Sequence, residues 1–263
     1  MAFLNILLLI LDYYIFRKCI YILNNEDTLI NKAVNRFTAM AFLNILLLIL
    51  IFMIIFLGGV LIFTNEDTLI NKILIGFGEI VLLNILFILT SIPIITAGAS
   101  LTALYSCSLK TIKGQHKTSI IKTYFASFKL NFIQSSTAWI SILICATILL
   151  CNLRFTIYLD LKPLLYMTVF TMILILMLSI YIFPVIATFE NSLLNLAKNS
   201  LIFIITNLPT TFLLIIISVF PISLTYIDTA LLPLYSFCWF FFGFALTAYI
   251  NSFFLYRIFK RYL

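Results

Sequence analysis

The sequence predicts an all-α protein, a polytopic transmembrane helical bundle with about five core spans plus one extra N-terminal span. Three observations predict this class. The apolar fraction is 64% and the charged fraction 10%, against about 45–50% and about 25% in soluble domains. Several uncharged runs reach the roughly 20 residues that a helix needs to cross the hydrocarbon core. Thirteen of the sixteen lysines and arginines fall in alternate gaps between these runs.

The basic residues also predict an orientation. Thirteen of them lie in gaps of one parity, at 17–36, 107–131, 189–200 and 257–261, and the others are Lys72, Arg154 and Lys162. Basic loops of membrane proteins stay in the cytoplasm. We therefore expect a multi-pass protein of the cell membrane with a cytoplasmic C-terminus. The net charge of +7 is then loop charge, so the lipid bilayer, and no nucleic acid, is the expected partner.

Apolar runs define the elements in order. The predicted spans are 40–63, 73–106, 132–153, 164–187, 201–227 and 229–255. The run at 73–106 is too long for one straight crossing and too short for two. Pro93, followed by Gly98, predicts a span that ends near 92–95, a break, and a second helical piece that carries 101–109. A turn at 225–229 separates the last two spans.

Two polar segments flank the middle spans. From Ser119, apolar residues recur at helical spacing opposite Lys122 and Lys129, and predict an amphipathic helix on the inner membrane surface: Ile120, Ile121, Tyr124, Phe125, Phe128 and Phe132. This helix either anchors the chain at the interface or serves as a docking site for a cytoplasmic partner. A second polar stripe is predicted to continue the helix at 164–187: Asn191, Asn195, Lys198 and Asn199.

Two stretches of sequence occur twice near the N-terminus. MAFLNILLLIL is found at 1–11 and again at 40–50, and NEDTLINK at 25–32 and again at 65–72. The residues between the copies are unlike. Plausible codons for the residues from Met53, read two bases later, encode a sequence close to that which begins at Asp12. Such a relation is typical of DNA that was duplicated and then frameshifted.

Our hypothesis is that residues 1–39 are a recent duplication with a frameshifted middle, or an assembly artefact that resembles one. Resequencing the locus tests this, and synonymous differences throughout the two copies would count against a recent copy. The chain then divides into an N-terminal extension at 1–64, in which 40–63 is the extra span, and a membrane domain at 65–263.

The sequence contains no recognisable catalytic constellation. The single histidine, His116, has no cysteine or carboxylate at ligand spacing, and no phosphate-binding loop or nucleophile motif is present. We therefore expect no enzyme activity, no metal and no cofactor. Glu79 is the one acid inside a predicted span, and such a group is costly at membrane depth. It either lines a polar pathway with Asn84 and Ser91, or lies near the outer interface close to Lys72.

Several motifs together resemble the YesL-like family of bacterial membrane proteins over residues 65–263. They are LNIL at 83–86, SIPIITAGAS at 91–100, TALY at 102–105, SFKLNF at 127–132, FP at 183–184, FEN at 189–191 and NLP at 207–209. The extension at 1–64 and Ala97, where a branched residue is usual, depart from the family pattern. The resemblance implies functional or structural roles for Asn84, Pro93, Thr96, Gly98, Lys129, Asn131, Glu190, Asn191, Asn207 and Pro209, with Glu79 added on its own chemistry.

The family has no assigned biochemical activity, and its members are often encoded beside carbohydrate uptake systems. The resemblance therefore implies a non-enzymatic accessory to a carbohydrate or other solute uptake system, with a sugar-uptake transport complex as partner. Its cytoplasmic contact surface would be 110–131 together with 190–199. The alternative is a small transporter or channel in its own right, lined by Glu79, Asn84 and Asn207, because proline and asparagine break the span at 201–227 as helices are broken at transporter binding sites.

Overall fold

The computed structural model describes residues 69–115, 119–227 and 232–262. The chain forms two compact units with a boundary between Ile80 and Val81. The duplicated segment at 1–39, the extra span at 40–63 and His116 lie outside the described residues.

All regular structure in the described residues is helical, which confirms the predicted all-α class. The helices are α1 (Leu69–Ser91), α2 (Ala97–Ile112), α3 (Ile120–Leu130), α4 (Phe132–Tyr158), α5 (Lys162–Thr188), α6 (Leu193–Thr206), α7 (Leu208–Ile227), α8 (Leu232–Cys238) and α9 (Phe244–Phe259). A 3₁₀ turn at Ile94–Thr96 precedes α2, and a π-helical segment at Trp239–Gly243 joins α8 to α9.

Four of the described helices are long and apolar enough to cross a membrane. They are Phe132–Tyr158, Lys162–Thr188, Leu208–Ile227 and Leu234–Phe259. Ile75–Ser91 and α6 are apolar but shorter. The break that asparagine and proline predict inside the span 201–227 is present, because the chain leaves helical geometry at Asn207 (φ −128°, ψ 45°) and the long helix begins at Leu208. The membrane-length helix is therefore shorter than the predicted span.

The predicted break at Pro93 is present. α1 ends at Ser91, and Pro93 (φ −73°, ψ 114°) leads into the 3₁₀ turn before α2. Proline has no N–H to donate, and it disfavours helical geometry in the residue before it. The local sequence therefore ends α1 here without help from tertiary packing.

Helix α2 is the core of the larger unit. Every residue from 97 to 109 is buried, and α2 packs against α3, α4, α5 and α9. Small residues make this possible, because they let helix backbones approach closely. A Cβ on Gly98 would overlap the Ser135 carbonyl oxygen and the Trp139 Cβ of α4. Four residues later, the Thr102 and Ser135 hydroxyls lie 2.8 Å apart.

The structure corrects the predicted continuation of α5 into the polar stripe. α5 ends at Thr188, Phe189 is extended (φ −117°, ψ 134°), and a separate helix starts at Leu193. Packing of the Phe189 ring explains the break. Its centroid lies 5.9 Å from that of Phe203 and 5.4 Å from that of Phe259, so the turn lets the half-buried ring pack against both.

The predicted amphipathic helix is present as α3, but its apolar side chains are divided between two faces. Tyr124 is buried against the bundle, and Ile120 and Phe128 are half-buried. Ile121 and Phe125 are 43% and 47% exposed. The exposed pair therefore lies on the outward side of the helix, where the lysines are also found.

We predict that Gly98→Ala destabilises the protein by about 1–3 kcal/mol, the usual cost of overpacking, because the added methyl meets backbone and Cβ atoms that cannot move aside. The matched control is Gly78→Ala in α1, where an added Cβ has no atom within 4 Å. Alanine favours a helix over glycine by about 1 kcal/mol, so the control should be neutral or stabilising. Thermal denaturation of the purified protein in detergent measures both, and equal midpoints would contradict the prediction.

Candidate functional site

Asn84 is fully buried in α1 and bonds the π-helical segment with both ends of its side-chain amide. The amide nitrogen donates to the carbonyl oxygens of Trp239 at 3.0 Å and Phe240 at 2.7 Å. The amide oxygen accepts from the backbone N–H of Ala245 at 2.9 Å. One side chain thus forms hydrogen bonds with three backbone groups of the last helical segment of the described chain.

The geometry of the π segment explains this arrangement. In a π-helix each N–H reaches back to the carbonyl five residues earlier. Phe240 and Ala245 stand in that relation, and the Asn84 amide lies between their carbonyl and N–H and bonds to both. The Asn84 side chain therefore provides hydrogen bonds to a carbonyl and an N–H at the widened turn of the helix. Nearby, the Phe87 ring packs at 5.2 Å from that of Phe244.

The break after α1 is closed in a similar way. The Thr96 hydroxyl lies 2.6 Å from the Thr90 carbonyl oxygen and 2.7 Å from that of Pro93. The Trp139 indole N–H donates to the Ile94 carbonyl at 2.7 Å. The carbonyls of Thr90, Pro93 and Ile94 thus find donors within the protein, although no residue of the 3₁₀ turn is buried.

Tyr124 connects α3 to this break. Its hydroxyl lies 2.7 Å from the Thr90 hydroxyl and donates to the Ser100 carbonyl at 3.4 Å. Burial raises the pKa of Tyr124 to about 12, against the lowering effect of these hydrogen bonds. The phenol therefore stays protonated, and remains a donor, throughout the physiological pH range.

Three further motif residues lie at helix junctions. Asn131 separates α3 from α4, and its amide donates to the Ser127 carbonyl at 3.1 Å. The Asn191 side-chain oxygen accepts from the N–H of Ser192 at 2.8 Å, while its own carbonyl accepts from the Gln134 amide at 3.0 Å. Asn191 thus ties the start of α6 to α4.

The third junction separates α6 from α7. The Asn207 amide donates to the Phe203 carbonyl at 3.2 Å, and its backbone carbonyl accepts from the N–H of Thr211 at 2.9 Å. Pro209 lies in the first turn of α7, where a helix does not need the missing N–H.

The other predicted site residues are not drawn into these joints. Lys129 is exposed in the last turn of α3, Glu190 is exposed between α5 and α6, and Glu79 is half-buried in the α1 portion of the smaller unit. The structure therefore does not gather the predicted residues into one cleft. It distributes most of them over the breaks between helices.

Asn251 is a fully buried polar residue that belongs to none of the sequence motifs. Its amide nitrogen donates to the Ser218 hydroxyl of α7 at 2.9 Å and lies 3.5 Å from the Tyr105 hydroxyl of α2. Its amide oxygen is buried without a hydrogen-bond partner. An amide in the apolar run 229–255 was the available signal, because polar groups at membrane depth are costly.

A groove of about 380 Å³ runs beside the π segment, between α7 and α8–α9. Pro221 and Phe220 line one wall, and Trp239 and Gly243 line the other. The lining is almost wholly apolar. In the described part of the chain, no group of three histidine, cysteine or acidic side chains could hold a metal ion.

Fold and site together define a class, an all-α membrane-type bundle whose motif residues brace helix breaks. Residues 80–153, from the second half of α1 to near the end of α4, match a family model described as a protein of unknown function, DUF624. That segment contains Asn84, Pro93 and Gly98. No curated protein and no solved structure matches the chain.

We predict that Asn84→Leu lowers the free energy of unfolding by about 3 kcal/mol or more, because each buried group left unsatisfied costs about 1–3 kcal/mol. Asn84→Asp should be at least as harmful, since a carboxylate cannot donate to the two carbonyls. The control is Asn152→Leu, which removes a single bond to the Thr168 hydroxyl and should cost about 1 kcal/mol. Denaturation in detergent compares the three variants. Similar losses of unfolding free energy at Asn84 and Asn152 would refute a special bracing role for Asn84.

Proposed function

We propose that the protein is a non-enzymatic accessory subunit of a solute uptake system in the cell membrane. One observation carries the proposal. Five of the predicted site residues use their side chains to bond backbone or neighbouring groups at helix breaks or at the π segment, and the chemistry left for recognition lies on the surface: Asn84, Thr96, Asn131, Asn191 and Asn207.

The buried side chains support this assignment. The buried polar residues of the described part are serines, threonines and asparagines, besides tyrosine hydroxyls. The carboxylates of Asp160 and Glu190 are exposed, and that of Glu79 is half-buried. General acid–base catalysis uses groups that exchange protons near neutral pH, and the described core is built from groups that do not.

The solute class follows from the sequence resemblance. YesL-like proteins are often encoded beside carbohydrate uptake systems, and the DUF624 match at 80–153 covers the first four of the motifs on which that resemblance depends. An oligosaccharide is therefore the proposed solute. The basic residues of 107–131 and the C-terminal Arg257 favour a cytoplasmic position for the ends of α2 and α9.

The partner surface is the segment 190–199, at the start of α6. Glu190, Asn191, Asn195 and Lys198 are all exposed, and the Asn191 oxygen accepts from the Asn195 amide at 2.9 Å, which fixes their arrangement. The other predicted contact region, 110–131, leads directly into α4, a helix long and apolar enough to cross a membrane, and its exposed lysines and apolar side chains therefore suit contact with lipid.

The test is co-purification from the native membrane in mild detergent. We expect the wild-type chain to retain the permease or solute-binding subunits of a transport complex. Asn195→Arg with Lys198→Glu should release them by steric and charge mismatch. Lys162→Glu is the control, because Lys162 is exposed at the opposite end of α5. A wild-type chain that purifies without transport subunits under these conditions would contradict the proposal.

A small transporter is the second candidate, and Asn251 favours it. An unpartnered amide oxygen inside a bundle, beside Ser218 and Tyr105, is the kind of polar group that binds a solute or water in passage. If the chain transports, proteoliposomes will show solute flux above that of empty liposomes, and Asn251→Leu or Glu79→Ala will abolish it. Wild-type flux equal to the empty-liposome background would remove this candidate.

A further inference from the structure

Helix α3 presents an outward face that the bundle does not cover. Tyr124 and Ser127 are buried against the bundle, and six of its residues are exposed. They are Ile121, Lys122, Phe125, Ala126, Lys129 and Leu130. The inward side is fixed by the Tyr124 hydroxyl, so the same face always points outward.

On the exposed face of α3 the lysines lie between apolar side chains. Each residue turns the helix by about 100° and advances it about 1.5 Å, so Lys122 and Lys129, seven residues apart, share one line about 10 Å long. Ile121 and Phe125 lie on one flank of this line, and Leu130 lies on the other. The cations thus occupy the middle of the exposed face and have apolar side chains on both sides.

The position of α3 relates this face to the bilayer. Only Asn131 separates α3 from α4, a helix long and apolar enough to cross a membrane. Leu130 and Ile133, at the junction, are 77% and 79% exposed. A crossing of the hydrocarbon by α4 that begins at this end would place α3 at the level where headgroups meet acyl chains.

We propose that α3 binds anionic phospholipid headgroups. The ammonium groups of Lys122 and Lys129 contact lipid phosphates, while Ile121 and Phe125 on one flank and Leu130 on the other pack against the adjoining lipid. Lysine suits this position, because its aliphatic stem lies along apolar surface while the ammonium group reaches the polar layer. The inference is independent of the proposed accessory role.

Charge complementarity favours lipid over a protein partner. The segment 107–131 has five lysines and no acidic residue, which matches the negative surface of a membrane leaflet that contains anionic lipid. A protein partner would have to supply an acidic strip for the lysines and apolar surface for both flanks. A membrane leaflet offers phosphates to the lysines and acyl chains to the apolar flanks of α3 at the same time.

The test is lipid retention by the purified full-length protein. The protein is equilibrated in mixed micelles of phosphatidylglycerol and phosphatidylcholine, and the lipid that remains bound is quantified by mass spectrometry. The wild-type protein should enrich phosphatidylglycerol. Each lysine near an anionic surface contributes about fivefold, so Lys122→Gln with Lys129→Gln should reduce the enrichment by roughly 25-fold.

The matched control is Arg154→Gln with Lys162→Gln, which removes the same charge from two exposed positions at the other end of α4 and the start of α5. This control should enrich phosphatidylglycerol as strongly as the wild-type protein does. Added salt should lower the enrichment in both. Equal losses in both double variants, or no preference in the wild type, would overturn the proposal. So would lysine variants that keep the lipid but lose the co-purified transport subunits, because α3 would then bind protein.

Discussion

The need to satisfy backbone polar groups where helices break governs this structure. In an apolar environment a free N–H or C=O has no water to bond, and each unsatisfied group costs several kcal/mol. The described chain interrupts its helices near Pro93, at Asn131, between Thr188 and Leu193 and at Asn207, and widens one at Trp239–Gly243. A protein side chain bonds to freed or neighbouring backbone groups at each of these places.

These braces also organise the packing. The turn after α1 is closed by Thr96 and by Trp139, and Trp139 belongs to the same stretch of α4 that approaches Gly98. The close approach of α2 to α4 at Gly98 and the hydrogen bond from Trp139 to the turn therefore occur together. Each helps to fix the position of α4 relative to α2. The small residues of α2 extend this contact through the core, where bulkier side chains would hold the neighbouring helices apart.

Local features were predictable from the sequence, and features that depend on distant residues were not. Apolar run length predicts α4 and α5, and Pro93 predicts the end of α1, because both effects act within a few residues. The break after Thr188 depends instead on packing of the Phe189 ring against side chains from two other helices. The π segment was likewise not foreseen, since its widened turn depends on an amide 155 residues away. Asn84 was selected by its place in a motif, but its partners could not be inferred from that motif.

The brace between α1 and the π segment also has a consequence for biosynthesis. The ribosome makes Asn84 at least 155 residues before the carbonyls to which it donates. During synthesis the Asn84 amide therefore finds its permanent partners only after the π segment and α9 have been made. Until then α1 has a polar group that favours contact with an insertase or another helix over contact with lipid. The first helix of the described residues is thus among the last to gain its final hydrogen bonds, because one of its buried side chains depends on the last helix of the bundle.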